Sequence, residues 1–439
     1  MKLEDMIIIS VDDHIVEPPD LFERFVPAKW RDKAPRIRKT KEGADVWQYE
    51  KFVYPNFALN AVAGRPREEL GFEPSTYDQI RKGCWDPKSR VDDMNVNGIA
   101  SALCFGSVTG MAGEMWMRAT DKQAAYACLQ AYNDWYLEDW CQAHPGRFIP
   151  MIQVPLWDVN LAVEEVRRAA KNGVTCLSFP GLPELLKLPT IHDTYWYPLW
   201  KTVVDEGVVL CFHIGTGGGS DHISMESPID AFLTKVGLSA YSTASEWLWS
   251  QTLRKFPDLR IVLSEGGVGW IPYMLERADL VYKNHGPWTR QSFGGKLPSE
   301  FFRERFYACF IEDEFALEVR NQVGIEIITY ECDYPHADIT WPGSPEQLWE
   351  DFAKAKCSPK EIDMITYQNA IKALRFDPVG KMGGKEKATV GALRAQAKHV
   401  DLSPLKNVGG VPPVTENKVV TAADVMKQLP MLFEGSVES

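Results

Sequence analysis

Two of the eight histidines in this chain stand at the ends of apolar runs, points where chemistry could gather. The first belongs to Asp12-Asp13-His14, which closes the apolar run Ile7-Ile8-Ile9-Ser10-Val11. A short β-branched run of this kind reads as a strand buried on both faces. Side chains alternate along a strand, so Asp12 and His14 project together and offer an oxygen and a nitrogen to one metal ion. Taken alone, the triplet is explained more simply as a loop cap beside a satisfied surface histidine. Three more donors alter that reading. His213 ends the run Val208 to His213, Glu265 ends Arg260 to Glu265, and Asp333 follows Ile325 to Tyr330. Each is a metal-binding or acid–base side chain placed just after an apolar run.

The elements that would position them alternate in type. Strands are expected at Ile7 to His14, Ala100 to Phe105, Phe148 to Val154, Val174 to Phe179, Val208 to His213, Arg260 to Glu265, Phe306 to Phe310 and Ile325 to Tyr330. Helices are expected at Leu21 to Phe25, Ala119 to Gln142, Leu161 to Asn172, Trp196 to Glu206 and Ala244 to Phe256, with Gly173 and Gly207 as stops. Strand and helix in turn through eight strands predict an α/β fold, a (β/α)8 TIM barrel, closed by a helix carrying Ile362, Ile365, Ala370, Ile371 and Leu374. Residues from about 30 to 87 break the rhythm with mixed charged, Pro/Gly and aromatic residues, and read as an insertion of hairpins and loops over the pocket. The barrel is expected over residues 1–376. Residues 377–439 form an extension with a weak helix at Ala422 to Gln428, packed on the surface or on a neighbouring subunit. In such a barrel the strand ends share one rim, so Asp12, His14, His213, Glu265 and Asp333 converge there.

Here the chain resembles a known family, the amidohydrolase superfamily, and within it the aminocarboxymuconate-semialdehyde decarboxylase-like branch often labelled amidohydrolase 2. The matching segments are Ser10 to Leu21, Cys211-Phe-His-Ile-Gly-Thr216, Phe256 to Gly267, Cys332-Asp-Tyr-Pro-His336 and Asn369-Ala370, together spanning roughly residues 5–376. The resemblance implies that Asp12, His14, His213 and Asp333 are metal ligands. Three departures stand out. Asp12 replaces the commoner His or Glu, Glu265 replaces a frequent His, and the fourth strand has no Lys for a carboxylated-lysine bridge, for which Cys176 and Ser178 cannot substitute. Three carboxylates and two imidazoles form a hard, oxygen-rich set suited to one or two ions of Zn, Fe or Mn. Glu265 could bridge a second ion or act as general base.

Other residues have weaker claims. His336, three residues after Asp333, could orient it or touch substrate. His222, in the glycine-rich loop Gly217 to His222, could bind substrate or do nothing. Glu17 could be an extra ligand or substrate contact, although orienting the Pro18-Pro19 turn explains it more simply. Trp47, Tyr49, Phe52, Tyr54, Phe57 and Trp85, with Met111, Met115 and Trp116, suggest a bulky apolar substrate pocket, but such residues are as often packing.

A formal charge of −12 and the lack of a concentrated basic run argue against nucleic acid as a partner. Nothing approaches a membrane span. Nine scattered cysteines without a CxxC pair fit a reducing compartment. The acidic N-terminus does not read as a signal peptide, so a cytoplasmic protein is expected. A homodimer is an arrangement the tail could serve.

The favoured reading is a hydrolase in which Asp333 or Glu265 takes a proton as metal-activated water attacks an acyl bond (ester, amide or thioester) of a small, apolar or aromatic carboxylic-acid derivative. His213 would assist. An anionic Glu265 would repel a substrate carboxylate, which tips the balance that way. The runner-up is a metal-dependent non-oxidative decarboxylase of an aromatic or enoic acid. A third reading is a catalytically silent barrel that binds no metal.

Overall fold

The apolar runs close a barrel. In the computed structural model, which describes residues 1–216, 224–413 and 419–428, eight parallel strands pair in the order expected of consecutive βα units. They are β1 (Ile8–Ile15), β5 (Ile99–Gly106), β6 (Met151–Ile152), β7 (Cys176–Ser178), β8 (Val209–His213), β9 (Ile261–Ser264), β10 (Phe306–Phe310) and β11 (Ile328–Tyr330). β1 pairs with both β5 and β11, and a parallel bridge between Ala102 and Phe148 joins β5 to the segment entering β6. The result is the (β/α)8 arrangement. Every residue of these eight strands is buried, as helices on the outside and side chains within require.

Local chemistry sets the helices. Asp121 caps Lys122–Trp135 through the amides of Gln123 and Ala124, and the helix runs on as a π-helical turn, Tyr136–Gln142. Asp158 caps Val159–Ala170 in the same way. Gly173 and Gly207 follow their helices with φ of +85° and +70°, a region open to glycine. Several helices fall outside the sequence reading, Ser344–Lys354 among them. Pro87–Val96 starts on an Asp86 cap and a first-turn proline, while Ile271–Thr289 and Pro298–Arg305 fill the stretch between β9 and β10.

The insertion contributes a three-stranded antiparallel sheet of β2 (Arg36–Lys39), β3 (Asp45–Tyr49) and β4 (Phe52–Tyr54). Its aromatic residues do not form a pocket. Trp47 and Trp116 each meet Phe22 edge-on, with ring centroids 5.5 and 5.9 Å away, and Tyr49 meets Trp116 at 5.6 Å. This cluster is core, and it fixes the insertion to the barrel. Beyond it, the amides of Val62 and Ala63 both donate to the carbonyl of Pro335, at 2.9 and 3.0 Å. The insertion therefore grips the segment that carries Asp333 and His336.

The extension packs back onto the same body. Thr389 bridges Ile7, and Val390–Gln396 buries Val390 and Leu393 beside Pro87–Val96. Among the described residues, no helix is long and apolar enough to cross a membrane.

Candidate metal centre

β1 and the segment after β11 continue side by side past their last ladder pair. The Asp333 amide donates to the Asp12 carbonyl at 2.9 Å, and the His14 amide donates to the Tyr334 carbonyl at 2.7 Å. These two bonds set Asp12, His14 and Asp333 at one level of the rim. Alternation then separates neighbours. Asp12 and His14 face the centre, while Asp13 turns away to Arg90 (3.4 Å) and the Ser10 hydroxyl (2.7 Å). Arg90, fully buried, also donates to the carbonyls of Gly83 and His14.

All five candidate ligands meet. His14 Nε2 lies 3.6 Å from Asp12 and 3.3 Å from Asp333. His213 Nε2 lies 3.0 Å from His14 Nε2, 3.0 Å from Glu265 and 3.5 Å from Asp12. His336 joins them, with Nδ1 2.9 Å from Asp333 and its ring centroid 3.9 Å from that of His14, tilted by 34°. The side chains of Asp12, His14, His213 and Asp333 are at most 1% exposed. Glu265 is 21% exposed and is the cluster's opening to solvent.

The donor set itself argues for a cation. His213 Nδ1 is 2.6 Å from the Ile214 carbonyl, so that nitrogen holds the proton and Nε2 presents a lone pair. That lone pair faces His14 Nε2 and the oxygens of Asp12 and Glu265, and neither oxygen of Asp12 receives a hydrogen bond. Acceptors facing acceptors in a dry site are repulsive unless a positive ion lies between them. His14, Glu265, Asp333 and His336, and equally Asp12, His14 and His213, bring their ligand atoms within 4.8 Å of one another. The residues present fit a bound metal.

Electrostatics point the same way. Burial, followed by the charges of Glu331, Asp333 and Glu265, pushes the Asp12 carboxyl well above its ordinary range. Burial and the neighbouring His336 and His213 hold His14 well below the usual imidazole value, as a neutral ligand. Against burial, the carboxylates of Glu265 and Asp333 draw His213 and His336 upward, which marks the negative field these groups place on the site.

Two expected substrate contacts lie elsewhere. Trp116 is 0% exposed, and its indole N–H is spent on Gln153, so it is a packing residue. Glu17 is equally buried. Its carboxylate accepts from the amides of Ser107 and Val108, at 3.1 and 3.0 Å, and pins the loop after β5. His222 lies outside the described residues.

Sequence reasoning missed Glu331. It is 1% exposed and lies two residues before Asp333, the same spacing that united Asp12 with His14. Its carboxylate accepts from the Cys309 thiol and from the Glu265 amide, and burial pushes it up to about 8.

A cavity of about 930 Å³ adjoins Glu265 and Glu331, walled by Val62, Arg65, Leu70, Leu233, Val236 and Trp341. None of the aromatic or methionine residues expected from the insertion and the second strand lines it. A second cavity, about 410 Å³, lies against His213.

The amidohydrolase family profile matches residues 28–376. Over 305 residues the chain is 24% identical to a gamma-resorcylate decarboxylase of Rhodococcus jostii (strain RHA1), covering 64% of this chain and 87% of that protein. An amidohydrolase of Mycobacterium avium subsp. paratuberculosis K-10 superposes with a TM-score of 0.65 at 21% identity, covering 84% of this chain and 99% of the other. A 5-carboxyvanillate decarboxylase of Novosphingobium aromaticivorans DSM 12444, solved with bound manganese, gives a TM-score of 0.56 at 17% identity over 86% and 99% of the two chains. These structural likenesses are likenesses of fold. With the family profile covering most of the barrel and its rim gathering a donor set that fits a metal ion, the chain belongs to the amidohydrolase family, as an enzyme of the metal-dependent amidohydrolase superfamily.

Proposed function

We propose that this protein is a metal-dependent, non-oxidative decarboxylase of an aromatic or enoic acid. The observation that carries the reading is the placement of Glu265. One acid faces both the buried ligand cluster and the large cavity, 3.0 Å from His213 Nε2. The similarity to decarboxylases supports this choice over hydrolysis, the reading favoured by the sequence.

Asp12, His14, His213 and Asp333 would hold one divalent ion, for which manganese, zinc and iron all suit the oxygen-rich donor set. When bound, the ion would hold the substrate carboxylate and neutralise its charge. The chain's own residues handle the proton. Glu265 delivers it to the carbon bearing the carboxylate. The carbon–carboxylate bond then breaks, its electron pair stays on the carbon skeleton, and carbon dioxide leaves. His336 and Asp333 orient the rim, and the cavity beside Glu265 receives the rest of the substrate against Val62, Leu70, Val236 and Trp341.

The test is a panel of hydroxybenzoic and enoic acids given to the metal-loaded protein, with carbon dioxide release followed. In deuterium oxide, one deuteron should appear at the vacated carbon. Glu265→Gln should lose at least about a hundredfold in turnover while keeping its metal, as expected for removal of a proton-transfer group. Turnover of an ester or amide panel with 18O from water entering the product, and no carbon dioxide from the acids, would return the assignment to hydrolysis. Elemental analysis gives the identity and number of ions.

A further inference from the structure

Glu265 occupies an uncommon backbone conformation. Its φ is +60°, in the left-handed region, where a residue with a side chain is held only when its surroundings impose it. The turn that carries it, Ser264-Glu265-Gly266-Gly267, follows directly on β9. In this conformation the Glu265 amide points away from the ladder and must find a partner elsewhere. That partner is Glu331, whose Oε2 accepts the N–H at 2.9 Å.

Glu331 is itself held. The Cys309 thiol donates to the same Oε2 at 2.6 Å, and the Glu331 amide donates to the Phe310 carbonyl at 3.1 Å. Cys309 lies on β10, between the strands that carry Glu265 and Glu331. A carboxylate fixed across three neighbouring strands therefore grips the backbone of the residue to which we assign proton delivery.

We propose that Glu331 is a positioning residue, which holds the turn after β9 in its left-handed form so that the Glu265 carboxylate stands beside His213 and the cavity. This rests on the decarboxylase reading for its catalytic consequence, but not for its structural one. Without the acceptor, the amide is orphaned and the turn relaxes to an ordinary conformation. The Glu265 side chain then swings away from the rim, and a displacement of about 1 Å is enough to cost on the order of a hundredfold in rate.

The experiment compares Glu331→Ala with Glu331→Gln, each loaded with metal and checked for wild-type metal content. Glu331→Ala should lower kcat by about ten- to a hundredfold with KM changed by less than about threefold. Glu331→Gln keeps an oxygen that accepts the N–H and should recover kcat to within about fivefold of wild type. Crystal structures of both variants supply a readout independent of activity: Glu265 should leave the left-handed region in Glu331→Ala and stay there in Glu331→Gln. An unchanged turn in Glu331→Ala, or metal loss in both variants, overturns the proposal. If wild type decarboxylates nothing, the decarboxylase reading falls, and the backbone of Glu265 in the two variants still decides the role of Glu331.

Discussion

At the scale of single residues, the centre combines groups that are costly unless something joins them. Asp12 is the sharpest case. It is fully buried, neither oxygen receives a hydrogen bond, and four other carboxylates crowd it. Asp12→Asn should therefore act in opposite directions on the two forms of the protein. The metal-free form gains about 1–3 kcal/mol, read as a higher thermal midpoint. The stabilisation gained on adding metal, about 2.7 kcal/mol at a free concentration a hundredfold above Kd, should disappear. Glu17 gives a pH prediction. Burial raises its folded pKa from 4.5 to about 7, against the pull of the amides of Val108 and Ser107. Between those values the native state holds more protons than the unfolded chain, so stability falls as pH rises from about 4.5 to 7, by a ceiling on the order of 3 kcal/mol. Glu17→Gln should flatten that part of a melting-temperature profile against pH. The pairing of Asp12 with His14 was legible because period-two alternation is a property of any strand. Trp116 was not, since an indole in the core and an indole in a pocket look alike in a sequence.

At the scale of elements, the turn after β9 shows how packing fixes chemistry. A Cβ on Gly266 would stand 2.4 Å from Cβ of Ala240, on the helix Leu238–Trp249. Glycine is needed there for close approach, and the approach holds the neighbouring Glu265. Gly266→Ala should cost about 1–3 kcal/mol and weaken turnover. Adding Ala240→Gly should restore much of both, a coupling that thermal unfolding and kinetics on the double variant would expose. The eight strands were readable as short apolar runs, and several helices between them by their caps or glycine stops. The long helix Ile271–Thr289 was not read, since it opens directly from a glycine-rich turn and contains Pro287. Glu331 was missed for a related reason. Spacing places it beside Asp333, but the partners that give it meaning come from β9 and β10, and one of them is a backbone amide.

For the whole molecule, the extension after the barrel ties two walls of the large cavity together. On one side, the Leu405 amide donates to Gly64, Val411 and Glu73 exchange backbone bonds, and the Gln428 side chain donates to Gly71. On the other, Ile229 donates to Val420, and Ala422 and Ala423 donate to Ser227 and Met225. Residues 64–70 and 233–237 of those two segments face the cavity. Nearly all of these bonds are between backbones, which is why the tail reads in sequence only as a surface that packs on the barrel or on a neighbouring subunit. Among the described residues of 405–439, Ala422 is the one buried apolar residue, so deleting this stretch tests the strap with little loss of described core. The shortened protein should keep its fold, by circular dichroism, and its metal. Amides of residues 60–73 and 225–236 should exchange faster, and KM should rise by about tenfold with kcat less affected.

That strap sets an order of assembly. All eight strands precede it in the chain, so the ligands can be gathered and a metal admitted while the cavity still has a loose side. The strap emerges after every barrel strand and then draws the mouth shut. A nascent chain halted near residue 404 would already possess a loaded centre but lack a finished chamber, which separates the moment of acquiring the metal from the moment of becoming selective.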